Sequence, residues 1–314
     1  MTWSVNQKEP NDDWLYDMKG DLHKQCQFLL TNNLAKPPAC SACHSDCQAV
    51  LVSTNRDSTR NTLPYKWTCT NNECNKSCIF LTGSYLKGKR IFNHIKLLYK
   101  FYLGRNAKEC SKETGIGHGT CIKWFDFYRR CIHKYMQDYF YPNFEFDVDL
   151  AVEWDEAALS AKQKNHRGRY RKPVWVLGGV QRESNVVLLK VIDRKNAETL
   201  HPIITSVCSP GTTVVTDGWT AYHGLSGHGL FHWNVDHTRG FVDPQTRQHT
   251  DTIEGLWALI RHELRKHRGI KPIDLQKHLD VFVFRRNTRN TPEGTWIKFC
   301  CLIGAMQNVV PKPT

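Results

Sequence analysis

The chain has none of the long apolar segments on which membrane proteins depend. Its 314 residues contain no run of the roughly 18 apolar residues that a helix needs to span a bilayer. Residues 1–10 lack the basic-then-apolar pattern of a secretory signal. No internal repeat and no long low-complexity segment is present either. We therefore expect a globular protein that has no membrane partner and lies in a reducing compartment.

Acidic residues are fewer than basic residues in this chain. The chain has 30 Asp and Glu against 43 Lys and Arg, which gives a formal net charge of +13. This excess favours a polyanionic partner, because each cation placed on a phosphate releases counterions. Thirteen cysteines without a secretory signal favour thiols that bind metal or pack as small apolar groups, rather than a disulfide framework. At this length two or three domains are expected.

Six of the cysteines lie between residues 37 and 85. Cys40-x-x-Cys43 and Cys69-x4-Cys74 form two close pairs, and two such pairs on facing turns can surround one tetrahedral Zn²⁺. The second pair is looser than a C-x-x-C turn, so neighbouring side chains are open as substitutes: His44, Cys47 and Cys78. Unrelated buried thiols are the alternative interpretation. The spacing predicts a zinc ribbon.

The next segment, residues 86–145, has helical periodicity. One face of the first helix is formed by Ile91, Ile95, Leu98 and Tyr102. A short helix over 107–114 follows, and a glycine-rich break at 115–119 leads to a third helix with Ile122, Phe125, Tyr128, Arg129 and Ile132 at helical spacing. This order fits a helix-turn-helix region whose third helix presents cations to DNA. Those cations are Lys123, Arg129, Arg130 and Lys134. A three-helix spacer with a solvated charged face is the alternative.

From about residue 150 the periodicity becomes that of strands. Strands are predicted at 150–156, 174–182, 186–192, 213–217 and 231–235, and helices at 197–208, 251–266 and 273–284. Three strands, a helix, two strands and a closing helix make a mixed α/β sheet in the order expected of a ribonuclease H-like fold. The predicted division is an extension (1–36), a zinc ribbon (37–85), a helical region (86–145), a ribonuclease H-like domain (146–290) and a tail (291–314).

A sparse set of acids lies on these elements. Alternation along the first strand places Glu153 and Asp155 on one face. Asp217 ends the fourth strand, and Asp251 and Glu254 share a face of the following helix. Carboxylates that are packed together raise one another's pKa, so such a cluster is costly unless it holds cations. Hard oxygen ligands suit Mg²⁺ or Mn²⁺, the ions used to move phosphodiesters.

Each acid also has a simpler explanation. The strand of Asp155 could be an ordinary edge strand with a solvated side. Asp217 could cap the short helix after it, and the two acids at the start of the later helix could complement its dipole. Acids on a strand, a strand end and a helix, in that order, favour one metal site over three unrelated roles.

Motifs in a fixed order accompany these acids. They are Val-Glu-Trp-Asp-Glu (152–156), Trp-Val-Leu-Gly-Gly-Val-Gln-Arg (175–182), Asp-Arg (193–194) with Ala-Glu-Thr-Leu (197–200), Pro-Gly-Thr-Thr (210–213), Asp-Gly-Trp-Thr-Ala-Tyr (217–222), Phe-Val-Asp-Pro (241–244) and His-Thr-Asp-Thr-Ile-Glu-Gly-Leu-Trp (249–257). The series resembles the Merlin-type DDE transposases and the related IS1016 and ISXO2-like groups. Upstream, Trp-Thr-Cys (67–69) and Thr-Gly-Ser (82–84) resemble the end of the family's zinc ribbon.

The resemblance implies a cut-and-paste DNA transposase that acts on double-stranded DNA, namely the terminal inverted repeats of its element and a target. Its catalytic carboxylates would be Asp155, Asp217 and Glu254, holding two Mg²⁺ (or Mn²⁺) ions. We expect at least a homodimer, because two element ends must be cut, and a nuclear location in a eukaryotic host or a cytoplasmic one in a bacterium. Three cations after Glu254 would contact the DNA backbone: Arg261, Arg265 and Lys266.

The sequence departs from the family pattern at three places. Asp251 stands where an amide is usual, Asp236-His237 stands where Asn-His is usual, and the segment 157–163 is less typical. His237 and His249 are also candidates for orienting a phosphate. Two other functions stay open: a domesticated, catalytically impaired DNA-binding protein, and a different ribonuclease H-like nuclease that acts on hybrids or junctions.

Overall fold

The computed structural model describes residues 11–52, 63–82, 84, 86, 90–159, 173–235, 250–267, 269–289, 295–306 and 309–311. The chain forms two compact units, one of Met1–Lys134 with Asn290–Thr314 and one of Tyr135–Arg289. Within the described ranges, no helix has the length and apolar character needed to cross a membrane.

The elements are numbered in chain order. The helices are α1 (Asp12–Met18), α2 (Leu22–Thr31), α3 (Ile91–Tyr102), α4 (Ala107–Thr114), α5 (His118–Tyr135), α6 (Ala197–Thr205), α7 (Asp251–Arg265), α8 (Leu275–Asn287) and α9 (Thr295–Met306). The strands are β1 (Cys47–Leu51), β2 (Tyr65–Cys69), β3 (Ser77–Ile79), β4 (Val152–Ala158), β5 (Trp175–Gln181), β6 (Val187–Ile192), β7 (Thr213–Asp217) and β8 (Phe231–Val235).

The first unit combines an antiparallel sheet, β1-β2-β3, with helices α1–α5 and α9. Helix α9 lies in the segment predicted as a tail, and its Trp296 packs against aromatic side chains of the same unit, among them Trp14, Tyr99 and Tyr102. The ring centroids are 5.8 Å from Trp14, 5.4 Å from Tyr99 and 5.1 Å from Tyr102. Gly304 brings α9 against the chain after α2, where a Cβ would lie 2.6 Å from the Asn33 carbonyl oxygen.

Helices α3–α5 follow the periodicity of the sequence. Asn106 caps α4 by accepting a hydrogen bond from the Glu109 amide at 2.9 Å, and Gly115 ends it in the left-handed conformation. The buried face of α5 consists of Cys121, Trp124, Phe125, Phe127, Tyr128, Cys131 and Ile132. Ile122 shares the spacing noted in the sequence but is 47% exposed, because the apolar stripe starts one residue earlier at Cys121.

The second unit contains a five-stranded sheet in the order β6-β5-β4-β7-β8. Strand β5 pairs antiparallel with both of its neighbours, whereas β4, β7 and β8 pair in parallel. The mixed α/β sheet predicted from the sequence is confirmed, and the order of its strands is the ribonuclease H-like order. One face packs against α6 through Trp154, Leu200 and Ile204, and the other face packs against α7.

Helix α8 seals the outer edge of β6 with side-chain amides. Asn287 accepts a hydrogen bond from the Val187 amide at 2.9 Å and donates to the Val187 carbonyl at 2.8 Å. In the first turn of α8, Gln276 accepts from the Val191 amide at 2.8 Å and donates to the Leu189 carbonyl at 3.0 Å. These bonds satisfy backbone groups that an edge strand otherwise leaves open.

A buried carboxylate anchors the same helix. Asp280 has no exposed surface. It accepts hydrogen bonds from the Tyr141 hydroxyl at 2.5 Å, from Gln276 Nε2 at 2.8 Å and from Gln137 Nε2 at 3.4 Å. The Lys190 ammonium lies 3.3 Å from the centroid of the Tyr141 ring. The network ties α8 to β6 and to the segment that precedes β4.

We expect Asp280→Leu to lower the free energy of unfolding by about 3 kcal/mol, because the buried donors around it lose their acceptor. Asp274→Asn is the matched control. It removes a partly exposed ion pair with Lys277 on the same helix, which is worth less than about 1 kcal/mol. Urea titration followed by circular dichroism measures both. Equal midpoints for Asp280→Leu and the unmodified protein would contradict the anchoring role.

Candidate functional site

The structure brings together the four cysteines that the sequence singles out. The sulfur atoms of Cys40, Cys43, Cys69 and Cys74 all lie within 4.8 Å of one another. Two of the separations are 3.7 Å (Cys40–Cys74) and 3.4 Å (Cys43–Cys69). A tetrahedral zinc ion with bonds of about 2.3 Å holds its sulfurs about 3.8 Å apart. The cluster therefore fits one zinc ion, and in the described part of the chain it is the one such group of three or more potential ligands.

Two tight turns present these sulfurs. The residue after each second cysteine is left-handed, with φ of 59° at His44 and 49° at Asn75. Hydrogen bonds from Ser45 lower the pKa of Cys43 to about 6, so this sulfur is largely the thiolate that binds metal. Cys47 and Cys78, which the sequence left open as substitutes, are not members of the cluster.

The cations of the third helix of the predicted helix-turn-helix differ in their surroundings. Lys123 is exposed, whereas Arg129, Arg130 and Lys134 are half-buried. Arg130 donates to Asp126 at 2.9 Å and to the Pro311 carbonyl at 2.8 Å, so its guanidinium is engaged within its own unit. Contact of these side chains with DNA stays a prediction.

The first two acids lie level with each other on neighbouring parallel strands. The register pairs Val152 with Val214 and Glu153 with Val215. The next residues that face the same side are Asp155 on β4 and Asp217 on β7, since side chains alternate along a strand. Burial is the main cause that raises the pKa of Asp155, and the Asp217 carboxylate raises it further. The two carboxylates therefore act on each other.

Asp217 also caps the turn that follows it. Its Oδ1 accepts a hydrogen bond from the Trp219 amide at 3.0 Å. The helix-capping role left open by the sequence is not observed, because the short helix Thr220–Tyr222 has Trp219 at its N-cap and no side-chain capping bond. The bond from the Trp219 amide instead fixes the orientation of the carboxylate at the end of β7.

Strand β4 holds helix α7 at two points. Glu153, which has no exposed surface, accepts from the Ile253 amide at 2.9 Å and from Arg182 Nε at 2.7 Å. One turn further along the helix, the Trp257 indole donates to Asp155 Oδ2 at 2.8 Å. Glu254 lies between these two points of attachment. The helix is therefore fixed to the same strand face that carries Asp155.

Two consecutive glycines of β5 make room for this arrangement. A Cβ on Gly178 would lie 2.7 Å from the Trp257 ring, and one on Gly179 would lie 2.9 Å from the Trp154 ring. In the sheet Gly178 is paired with Asp155 and Gly179 with Trp154. Each glycine thus admits one indole, on opposite faces of the sheet.

A fourth acid, Glu156, and a cation, Lys195, belong to the same neighbourhood and were not selected from the sequence. Burial raises the pKa of Glu156 to about 7; Lys195 lowers it, while Asp155 and Asp217 raise it. Its buried Oε1 has no hydrogen-bond partner among the described residues. Strand alternation places Glu156 on the face opposite Asp155, so periodicity alone did not indicate it. Its position in the Val-Glu-Trp-Asp-Glu motif was the signal available.

Glu254 and the cations that follow it form an exposed stripe of α7. Glu254, Arg261 and Arg265 are all exposed, and their spacing of seven and eleven residues places them on one side of the helix. Lys266 is paired with Glu263 at 2.6 Å. Asp251 is exposed one turn before Glu254. His237 and His249 lie outside the described residues.

The acids fit divalent metal ions in their donor chemistry. Their carboxylates are the hard oxygen donors that these ions prefer, and burial together with the neighbouring Asp217 raises the pKa of Asp155. A bound cation offsets this cost. Asp155 and Asp217 are close enough to act on each other, and Glu254 lies on the helix that is fixed to Asp155.

We expect one zinc per chain by metal analysis, bound through the cysteine cluster. Cys40→Ser should lose the zinc and destabilise the β1-β2-β3 sheet, because a closed structural zinc site supplies folding energy. Cys78→Ser is the matched control outside the cluster and should keep the metal. Protein that contains no zinc and yet keeps an unchanged circular dichroism spectrum and unfolding midpoint would overturn the assignment.

The glycine pair yields a second prediction. Gly178→Ala should displace the Trp257 ring and shift the NMR signal of its indole N–H, while overpacking lowers stability by about 1–3 kcal/mol. Gly179→Ala should cost a similar amount through Trp154 but leave the Trp257 indole signal in place. Trp257→Phe identifies that signal. An unchanged indole resonance in Gly178→Ala would refute the proposed steric role.

Solved structures of DNA-processing assemblies show weak similarity to this chain. The catalytic core domain of BIV integrase has 10% identity and a TM-score of 0.32, covering 50% of this chain and 97% of its own. The simian T-cell lymphotropic virus intasome in complex with PP2A regulatory subunit B56 gamma has 17% identity and a TM-score of 0.27. The match covers 46% of this chain and 49% of the intasome chain. The pre-cleavage Mos1 transpososome has 11% identity and a TM-score of 0.29. The match covers 64% of this chain and 74% of the Mos1 chain.

The sequence itself carries the stronger evidence. No curated protein matches the chain, but the model of the ISXO2-like transposase domain matches residues 150–287. This region contains β4–β8, helices α6–α8 and the three acids of the candidate site. The resemblance inferred from the motifs is thereby confirmed: residues 150–287 match the model of the ISXO2-like transposase domain.

Proposed function

We propose that this protein is a DDE-type DNA transposase that cuts the ends of its element and joins them to target DNA. The observation that carries the proposal is the placement of the acids within the transposase domain. Asp155 and Asp217 lie level on parallel strands, and the helix that bears Glu254 is attached to Asp155 through Trp257. Nucleic acid also fits the net charge of +13.

Asp155, Asp217 and Glu254 would hold Mg²⁺ or Mn²⁺. When bound, these ions supply activation of a water or a 3′-hydroxyl and stabilisation of the leaving oxygen. The chain's own residues provide the orientation. The indole N–H of Trp257 fixes Asp155, the Trp219 amide fixes Asp217, and Glu153 holds the first turn of α7.

Basic side chains would hold the DNA in place. Arg261 and Arg265 extend along α7 from Glu254 and would contact the backbone of the strand being cut. The α3–α5 region, through residues such as Lys123, would bind the terminal inverted repeats. Cutting two ends in one reaction calls for at least a homodimer. The protein would act in the nucleus of a eukaryotic host or in bacterial cytoplasm.

We expect Asp155→Asn, Asp217→Asn and Glu254→Gln each to lower strand cleavage by at least about 100-fold, because metal clamps contribute several kcal/mol of transition-state stabilisation. DNA binding should stay nearly unchanged. The amide of Asp155→Asn still offers an oxygen to Trp257, so the fold is retained. Cleavage of a labelled element end in Mn²⁺ and a gel-shift assay measure the two properties.

Asp251→Asn is the matched control on the same helix. We expect it to leave measurable cleavage, because an amide is usual at this position in the family that the motifs resemble. If Asp251→Asn lost as much activity as Glu254→Gln, the site would use four acids. An unmodified protein that binds element ends but does not cleave them in either metal would favour the domesticated, catalytically impaired alternative.

A further inference from the structure

A lysine lies between two indole rings beside the acids. The Lys195 ammonium is 4.2 Å from the centroid of the Trp175 ring and 4.8 Å from that of the Trp219 ring. Lys195 follows β6, Trp219 follows β7, and Trp175 begins β5. Because β5 is antiparallel to its neighbours, all three residues lie at the same end of the strands, where β4 and β7 also finish.

The ammonium acts on the acids without pairing with them. It lowers the pKa of Asp155 and of Glu156, although burial, the larger cause, raises both. Lys195 forms no ion pair with any residue that the structure describes. A lysine that only neutralised these carboxylates would contact one of them directly. Here the faces of two indoles hold the cation in place, and cation–π attraction leaves its N–H groups able to donate.

The position of the second indole depends on the acid site itself. The Trp219 amide donates to Asp217 Oδ1 at 3.0 Å, so the carboxylate at the end of β7 also sets the turn that carries this ring. Trp219 is 45% exposed. The group of Trp175, Lys195 and Trp219 therefore borders solvent beside the acids.

We propose that Lys195 is a phosphate-binding residue, which the two indoles orient toward a backbone phosphate of the DNA strand that enters the acid site. This inference rests on the proposed transposase function. A compact ammonium with three donors suits a single phosphate oxygen. The phosphate contact would position the strand, while the acids carry the chemistry.

The test uses the full chain and a fluorescent duplex that contains one element end. Affinity is measured by anisotropy over a series of salt concentrations in the absence of divalent metal. Lys195→Met keeps the apolar stem between the indoles and removes the charge. Loss of one phosphate contact should lower the slope of log K against log salt by about 0.9. In the cleavage assay KM should rise several-fold more than kcat falls.

Two further variants separate binding from a general effect of charge or folding. Lys195→Arg keeps a cation that stacks on aromatic rings and should restore most of the slope. Lys277→Met removes one positive charge from α8, where Lys277 is paired with Asp274, and should leave slope and KM unchanged. The unfolding midpoint of Lys195→Met, measured alongside, should match that of the unmodified protein.

An unchanged salt slope and KM in Lys195→Met would overturn the proposal. So would an unchanged slope together with a lower Mn²⁺ requirement for cleavage, because the lysine would then only occupy the place of a metal ion. The proposed function is tested separately, by the cleavage activity of Asp155→Asn. If Asp155→Asn cleaved as well as the unmodified protein, that function would fail, whereas the salt slope would still report whether Lys195 contacts a phosphate.

Discussion

The attachment of helix α7 to strand β4 is the contact on which the candidate site depends. A helix packed on a sheet can slide along it, because apolar contacts are not directional. Here Glu153 accepts a hydrogen bond from the Ile253 amide in the first turn, and Asp155 accepts one from the Trp257 indole one turn later. Two polar contacts to one strand fix both the height and the rotation of the helix. The backbone position of Glu254 on the helix is set once they form.

This attachment requires Glu153 to be a buried charge, which is costly unless it is paired and hydrogen-bonded. Arg182 meets that requirement from the end of β5, at 2.7 Å. Glu153 therefore joins β4, β5 and α7. The cost of burying its charge is offset by the Arg182 ion pair and by the buried Ile253 amide at a helix N-terminus, where negative charge is favoured. Glu153, which has no catalytic role in the proposed site, thus holds Glu254's helix beside Asp155.

Much of this arrangement could be predicted from the sequence. Period-two alternation placed Glu153 and Asp155 on one face, the end of a β-branched run located Asp217, and paired cysteines at short spacing identified a cluster whose four members the structure groups together. These are local patterns, and each is expressed within a few residues. Helices α4 and α7 were likewise located to within one residue of their observed ends.

The features that could not be predicted from the sequence depend mainly on long-range packing. Lys195 enters the site because β5 runs antiparallel and brings Trp175 to the end where β6 and β7 finish, which no local pattern reveals. Glu156 lies on the face opposite Asp155 and still shares its electrostatic environment. Helix α9 was missed since residues 295–306 are apolar almost throughout, without the clear polar face that marks an amphipathic helix.

The side-chain amides of α8 have a consequence for how such a domain can associate with other chains. An unpaired sheet edge is a template for strand addition, and a protein that handles several partners at once is exposed to that hazard. At β6 the edge is occupied by Asn287 and Gln276, so an added strand would first have to displace the four hydrogen bonds between α8 and the β6 backbone. Growth of the sheet from that side is therefore disfavoured.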